Sequence, residues 1–539
     1  MKVLLTALSA KHIHKTLAPW CLKAYCDQHV QGCEIIVQEH TINDHVGDIA
    51  AEIFQSKPDI VGFSCYIWNI ETLVKVALTL KKYLPACKIV LGGPEVSFEA
   101  DDSAYPFADY IVQGAGELAF ADLLREMRAG HLPPGKVIRA EQAPDLNELP
   151  SPYTTAYYKS FAEGRMLSIK NQLVYYESSR GCPFSCTYCL SSTVCGVQEL
   201  ALERVFSDLD ALQNHGASCI KFVDRTFNAN RGRALEIFRY IRALETDCTF
   251  HFEAAADLFD AELLQVISAM PPGRVQFEIG VQSVNEQTLA EIHRSMDVES
   301  VLQNIQTLAA FGNCHVHVDL IAGLPGETMR SFAEGVNACI RVRPHMLQLG
   351  FLKLLKGTKI RNDSAKYRYV YSEFPPYEVL QSAHMSFADM IALKRIETVV
   401  DKFYNSGRFA NSVHYAIEHV FQSAYHFFEA LADFCKEETL RTSLKRAYTI
   451  VFRFLCQHMD EALAAHYIKL DCFTYNAENT VPDRIALHRN KAAESEFRKD
   501  AARKHSNVKV EFFEYDQKMR VFVYDEKDAV GRGYRVLVL

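Results

Sequence analysis

The stretch "ESSRGCPFSCTYCLSS", Glu177–Ser192, places cysteines at 182, 186 and 189 in the pattern C-x3-C-x2-C. It follows directly on "LVYYES" (173–178), which reads as a strand. Thiolate is a soft ligand suited to zinc, copper(I) or iron–sulfur clusters. Structural zinc usually takes four ligands as paired C-x2-C units, and this loop has one such unit. Three thiolates on one short loop can hold three irons of a 4Fe–4S cube and leave the fourth iron open to a substrate. Cys195 follows nearby, and we read it as a bystander rather than a fourth ligand.

Working outward, alternating apolar runs and helical patterns continue to about residue 355. Further strands are expected at 219–224, 248–254, 274–280, 315–323 and 345–351, with helices between them. Six βα units of this kind predict a partial β/α barrel, whose sites sit at the strand carboxyl ends. Several of those ends carry polar or small residues: Asp224, Glu253, then Gly280, Gln282 and Ser283, and "GLPGET" (323–328). Taken singly, each is equally well a cap or a turn.

Before this region lies another alternation. Strands are expected at 2–8, 34–40, 59–65, 87–93 and 109–114, and helices at 17–28, 46–56, 69–83 and 116–129. Near-continuous apolar strands separated by helices predict a parallel sheet covered on both faces, a doubly wound (Rossmann-like) domain. Residues 131–153 are Pro-rich, weakly periodic and read as linker. Beyond about 375 the texture is mainly helical and aromatic. "VKVEFFEYDQKMRVFVYD" and "YRVLVL" then predict a hairpin plus a third strand. The overall class is α/β, with domains expected at 1–135, 170–370 and 371–539 and a linker over 136–169.

Composition narrows the setting. The 539 residues carry a formal net charge of −8, which argues against a general nucleic-acid partner. No apolar run approaches the roughly 18 residues of a membrane helix, and the N-terminus lacks a signal-peptide pattern. Sixteen cysteines without such a leader read as mostly free thiols in a reducing, cytoplasmic setting.

The cysteine loop after the first of six βα units resembles the radical S-adenosylmethionine (SAM) superfamily. That resemblance implies Cys182, Cys186 and Cys189 as ligands of a 4Fe–4S cluster whose open iron binds SAM. Tyr188, Asp224, Glu253, Gly280, Gln282 and Ser283 are implied around SAM. The chemistry implied is reductive cleavage of SAM to a radical that takes hydrogen from an unactivated carbon, with an external electron donor such as flavodoxin or ferredoxin.

A doubly wound domain ahead of such a barrel is similar to the cobalamin-dependent subgroup. The loops after the third, fourth and fifth strands then imply cobalamin contacts at Ser64, Tyr66, Trp68, Asn69, Gly92, Gly93, Glu95, Gly114, Gly116 and Glu117. The subgroup's D-x-H-x-x-G motif is absent: "NDHVGD" (43–48) follows the wrong strand, and His12 and His14 lie in the right loop without the motif. Base-off cobalamin without a histidine ligand is expected. "PPYEVL" (375–380) and "DKFYNSGRF" (401–409) resemble an uncharacterised C-terminal extension of this subgroup.

The leading expectation is methyl transfer to an unactivated carbon of an unknown small-molecule or peptide substrate, with rearrangement or cyclisation as the variant. No general acid or base is assigned. A rival is a methylthiotransferase acting on RNA or protein, which would need a second cluster on three of Cys21, Cys26, Cys33, Cys65 and Cys87. A third reading is a non-catalytic cobalamin or iron–sulfur sensor.

Overall fold

A computed structural model describes residues 1–101, 103–133, 135–140, 143–163, 168–194, 196–475, 481–485, 497–499, 501–503, 505–527 and 533–538. The chain divides into two compact units. The first comprises Met1–Ala254, Ile292–Arg294 and Leu352–Ser382; the second comprises Ala255–Glu291, Ser295–Phe351 and Ala383–Leu539.

The first unit opens with β1 (Lys2–Ser9), α1 (Ala18–His29), β2 (Glu34–Thr41), α2 (Val46–Ser56), β3 (Ile60–Ser64), α3 (Ile70–Tyr83), β4 (Lys88–Gly92), β5 (Tyr110–Gln113) and α4 (Gly116–Arg128). A sixth strand, β6 (Val137–Arg139), completes a sheet of order β2-β1-β3-β4-β5-β6. All its pairings are parallel. Successive residues of a strand face opposite sides, so β1 feeds two cores. Leu4 and Leu8 pack with Ile49, Ile53, Leu73 and Val76 of α2 and α3. Val3 and Leu5 pack with Phe120 and Leu124 of α4 on the other face. Each such apolar side chain, buried to within a few per cent, contributes about 1.5–3 kcal/mol.

The stretch expected as linker is partly structured. β6 pairs with β5 (Ile111↔Val137); three residues are too few to show a period, and an edge strand needs only one apolar face. Downstream, α5 (Thr155–Glu163) sets Tyr157 edge-on against Trp20 and Tyr153. Lys15, fully buried, pairs with Glu39 and donates to Ser160 Oγ at 2.7 Å.

Three parallel strands of the expected barrel follow: β7 (Leu173–Tyr176), then β10 (Cys219–Phe222) and β11 (Thr249–Glu253). Between β7 and β10 the chain makes a small antiparallel pair, β8 (Ser179–Gly181) with β9 (Val197–Glu199), then α6 (Leu202–Asn214); α7 (Arg231–Ala243) links β10 to β11. Residues 352–382 return to this unit.

The second unit carries the remaining three strands, β12 (Val275–Gln282), β13 (His315–Ala322) and β14 (Met346–Phe351), also parallel. Beyond about 375, where a mainly helical texture is expected, the first element is instead a short strand. β15 (Val370–Tyr371) pairs with β16 (Val379–Gln381) in the first unit, and helices start only at Phe387. Two single π-helical stretches, Val400–Asn405 and Ala416–Phe421, interrupt the helices. The expected hairpin and third strand form as β17 (Val508–Phe513), β18 (Lys518–Lys527) and β19 (Tyr534–Val538). No helix among the described residues is long and apolar enough to cross a membrane.

Candidate active site

The cysteine loop hangs from a narrow neck. Gly181 pairs with Val197, and its φ is 104°. A Cβ there would sit 2.1 Å from the Gly196 carbonyl oxygen, so only glycine admits this crossing. Arg180, just before it, is gripped by two acids. Its Nε and one terminal nitrogen donate to Glu177 at 2.9 and 2.8 Å, and that nitrogen also donates to Glu117 at 2.8 Å. Glu117 lies in the first turn of α4, where the helix dipole favours an anion.

Within the loop, Cys189 N–H donates to the Cys186 carbonyl at 3.1 Å, folding the C-x2-C turn. Cys182 Sγ lies 3.6 Å from Thr226 Oγ1, and Arg294 reaches Cys186 Sγ at 3.8 Å. Burial pushes the Cys186 thiol up, and the Arg294 guanidinium opposes that. The described cysteines are free thiols. Three thiols on one loop, one beside a fixed cation, fit an iron–sulfur cluster. Cys195 lies outside the described residues.

A cavity of about 940 Å³ opens at the carboxyl ends of the N-terminal strands. That is near the top of the range for small-molecule and cofactor sites. Its deep end is an apolar slot between Leu5, Gly62, Phe63, Val90, Val112 and Phe120, running into the sheet core. Its rim holds nine of the ten expected cobalamin positions: Ser64, Tyr66, Trp68, Gly92, Gly93, Glu95, Gly114, Gly116 and Glu117. Gly93 has φ 109°, and a Cβ there would meet the Cys65 carbonyl oxygen at 2.7 Å. The opposite wall includes Tyr188, Cys189, Leu190 and Ser191 of the cysteine loop. A cavity of this volume, with apolar side chains of the sheet core and a glycine-rich lining, fits a large cofactor with a heterocyclic tail.

The tenth position, Asn69, is not on the cavity. It is 1 % exposed and holds the loop instead, donating to the Leu8 and Ser64 carbonyls at 3.2 and 2.9 Å and accepting from Tyr66 N–H at 2.8 Å. Trp68 stacks on Tyr66, with ring centroids 4.3 Å apart, and stays half exposed.

Among the expected SAM positions, Tyr188 and Glu253 line the cavity. Asp224 does not. It is buried and accepts from Ser178 N–H at 3.0 Å and from the Ser178 and Ser179 hydroxyls at 2.6 and 2.7 Å. Burial pushes its carboxyl up to about 6. It thus ties the end of β10 to the strand entering the cysteine loop. Gly280, Gln282 and Ser283 belong to the second unit. The register shifts between Gly280 and Gln282, and Gln282 adopts φ 68°, strain of the kind that clusters at ligand sites. Ser283 Oγ donates to Glu327 of the "GLPGET" turn, and Ser331 Oγ donates to the same carboxylate.

Sequence reasoning missed the cavity residues Lys221 and Arg225 and gave His14 no role. His14 lines the cavity with Nδ1 2.8 Å from the Tyr175 hydroxyl; burial foremost, then Lys11 and Lys221, lowers its pKa. His12 lies 3.9 Å from Asp44, and His45 of "NDHVGD" accepts from Gly47 N–H as the N-cap of α2. Lys221 and Arg225 flank Glu253 at 3.9 and 4.0 Å. In the second unit, Glu278, His317 and Asp319 bring ligand atoms within 4.8 Å of one another, from strands paired Glu278↔His317. The alternating polar positions of β12 and β13 could have revealed that set.

The cysteines proposed for a second cluster do not converge. Cys26 packs in the core on one face of the N-terminal sheet, with Cys33 against it, while Cys65 and Cys87 pack on the other face. Cys21 is at the cavity, at the strands' carboxyl ends, whereas Cys33 precedes the start of β2.

Comparison with known proteins accords with this geometry. Residues 3–124 match the B12 binding domain, 176–338 the Radical SAM superfamily, and 365–526 a protein of unknown function, DUF4080. The 2-(S-pantetheinyl)-carbapenam-3-carboxylate methyltransferase of Streptantibioticus cattleyicolor is 29 % identical over 336 residues, covering 56 % of this chain and 47 % of that protein. The cobalamin-dependent radical SAM methyltransferase TokK of Streptomyces tokunonensis is 26 % identical, covering 55 % and 47 %. The chain thus spans about half the length of these curated relatives. The solved structure of the cobalamin-dependent S-adenosylmethionine radical enzyme OxsB, with aqua-cobalamin bound, shares the fold. Its TM-score is 0.62 at 13 % identity, covering 87 % of this chain and 79 % of that one. The chain thus carries, in order, regions that match the B12 binding domain, the Radical SAM superfamily and DUF4080.

Proposed function

We propose that this protein is a cobalamin-dependent radical SAM methyltransferase acting on an unactivated carbon of a small molecule or peptide. One observation carries the reading: a single cavity is walled by the ends of the B12-type sheet on one side and by Tyr188–Ser191 of the cysteine loop on the other. The methyltransferase names of the two curated relatives support the reaction class.

Cys182, Cys186 and Cys189 would hold the cluster, and Tyr188 and Glu253 would face SAM. The rim from Ser64 to Glu117 would receive cobalamin, its tail in the slot beside Gly62 and Phe120. When bound, the cluster supplies the electron that cleaves SAM, and cobalamin supplies the transferable methyl group.

The chain's own side chains orient the site. Asp224 locks the base of the cysteine loop, and Asn69 fixes the rim. Arg180 bridges α4 to the cysteine loop through Glu117 and Glu177. Tyr66 and Trp68 stack on each other along the cavity wall. The reductant would be an external flavodoxin or ferredoxin, and the free thiols suit a reducing cytoplasm.

The test is anaerobic incubation of cluster- and cobalamin-loaded protein with SAM and dithionite. Both 5′-deoxyadenosine and S-adenosylhomocysteine should form, because SAM would serve as radical source and as methyl donor. Formation of neither by a fully loaded protein would overturn the reading.

A further inference from the structure

The segment Leu352–Ser382 belongs to the first unit, although β14 before it belongs to the second. It is closed on itself: Leu354 N–H donates to the Tyr377 carbonyl at 2.9 Å, and Val379 N–H donates to the Leu352 carbonyl at 2.8 Å. The resulting strap lies flush on the loop after β4. Gly357 has φ 84°, and a Cβ there would fall 2.3 Å from the Phe98 ring. Lys356 Nζ is 2.8 Å from Glu95 Oε1, whose side chain is only 2 % exposed. The Tyr377 hydroxyl donates to the same oxygen. A second pair, Arg361 Nε to Glu99 at 2.8 Å, lies alongside.

The strap also reaches the cysteine loop. Ile360 N–H donates at 3.0 Å to the carbonyl of Thr187, the residue between Cys186 and Tyr188. One short piece of chain therefore grips both the rim that carries Glu95 and the loop that carries the three cysteines. Glu95 and Lys356 themselves line the cavity. A carboxylate this buried is costly unless its cation stays in place, so the ion pair to Lys356 holds the contact more strongly than the hydroxyl of Tyr377 does.

We propose that Leu352–Ser382 is a clasp that fixes the spacing between the cobalamin seat and the cluster loop, with Glu95, Lys356 and Tyr377 as its latch. This rests on the reading above that the cavity holds the corrin. It assigns a role to the first part of the DUF4080 region, residues 365–382: this part braces the cavity rim from outside, through the Tyr377 hydroxyl on Glu95. Lys356 and Tyr377 are positioning residues. They act through Glu95 and the rim.

The experiment uses full-length protein loaded with both cofactors. Pulsed electron paramagnetic resonance reads the dipolar coupling between cob(II)alamin and the reduced cluster, and stopped mixing reads hydroxocobalamin release. Wild type should give one narrow distance distribution. Lys356→Met should broaden it and speed release about tenfold or more, the equivalent of about 1.4 kcal/mol. Tyr377→Phe, a milder change that keeps the ion pair, should give an intermediate effect, and Lys356→Arg should restore both readouts towards wild type. If Lys356→Met and Tyr377→Phe load both cofactors with wild-type distances and release, the clasp is wrong while the cobalamin reading stands. If wild type takes up no cobalamin, both fall together.

Discussion

Arg180→Met removes the cation that two carboxylates share. The guanidinium makes a two-pronged contact with Glu177 and a third bond to Glu117, all between 2.8 and 2.9 Å. The side chains of Arg180, Glu177 and Glu117 are 26 %, 23 % and 7 % exposed. Exposed ion pairs contribute about 0–1 kcal/mol, whereas removing one partner of a buried pair costs about 3–5 kcal/mol. This triad lies between those limits, with Glu117 close to the buried extreme, so the substitution should cost about 2–3 kcal/mol. Methionine keeps the length of the aliphatic stem, so most of the loss is electrostatic. Anaerobic urea unfolding followed by circular dichroism reads the cost. A cycle with Glu117→Gln separates the pair from its surroundings: the double variant should lose about 1–2 kcal/mol less than the sum of the single losses. A loss below about 0.5 kcal/mol for Arg180→Met, or losses that simply add, would refute the reasoning.

Gly93→Ala should cost about 2–4 kcal/mol and weaken hydroxocobalamin uptake, from left-handed strain and contact with the Cys65 carbonyl. For stability, Gly92→Ala, whose Cβ would meet only the Val112 carbonyl oxygen at 3.8 Å, is the near-neutral control, and equal losses of stability in the two would count against the argument. Arg294→Met removes a positive charge 3.8 Å from Cys186 Sγ. The cluster potential should fall by about 40–170 mV, as an EPR-monitored redox titration would show; an unchanged potential would mean the arginine does not act on the cluster. Asp471 is fully buried beneath Asn411 and Ser412, and burial pushes its carboxyl up to about 7. A raised carboxyl contributes stability at low pH that is lost as pH climbs from about 4 through 7. Between pH 5 and 7, wild type should therefore lose on the order of 2 kcal/mol relative to Asp471→Asn; parallel pH profiles would contradict this.

Strands that bury both faces were legible in the sequence. β1 supplies Leu4 to one core and Val3 and Leu5 to the other, so its apolar run is nearly continuous. β6 was not legible, because an edge strand of three residues leaves no period. The cysteine loop announced itself by spacing alone. Its surroundings did not: Arg294 is 108 residues from Cys186, and Tyr377 is 282 residues from Glu95. Ordinary residue types joined across such separations leave no local pattern. Asn69 and Asp224 show the opposite limit. Asp224 was found as a polar residue at a strand end and Asn69 through the resemblance of its loop, and there a ligand contact and a backbone latch look alike; only their hydrogen bonds tell them apart.

The central claim is that one chain carries a three-cysteine cluster loop and a separate cobalamin seat on a shared cavity. Iron and cobalt content after anaerobic reconstitution with iron, sulfide and hydroxocobalamin tests it directly. Wild type and Cys195→Ala should hold about four irons and about one cobalt per chain, and Cys182→Ala/Cys186→Ala/Cys189→Ala should lose the iron and keep the cobalt. About eight irons without cobalt in wild type, or iron retained in the triple variant, would contradict it.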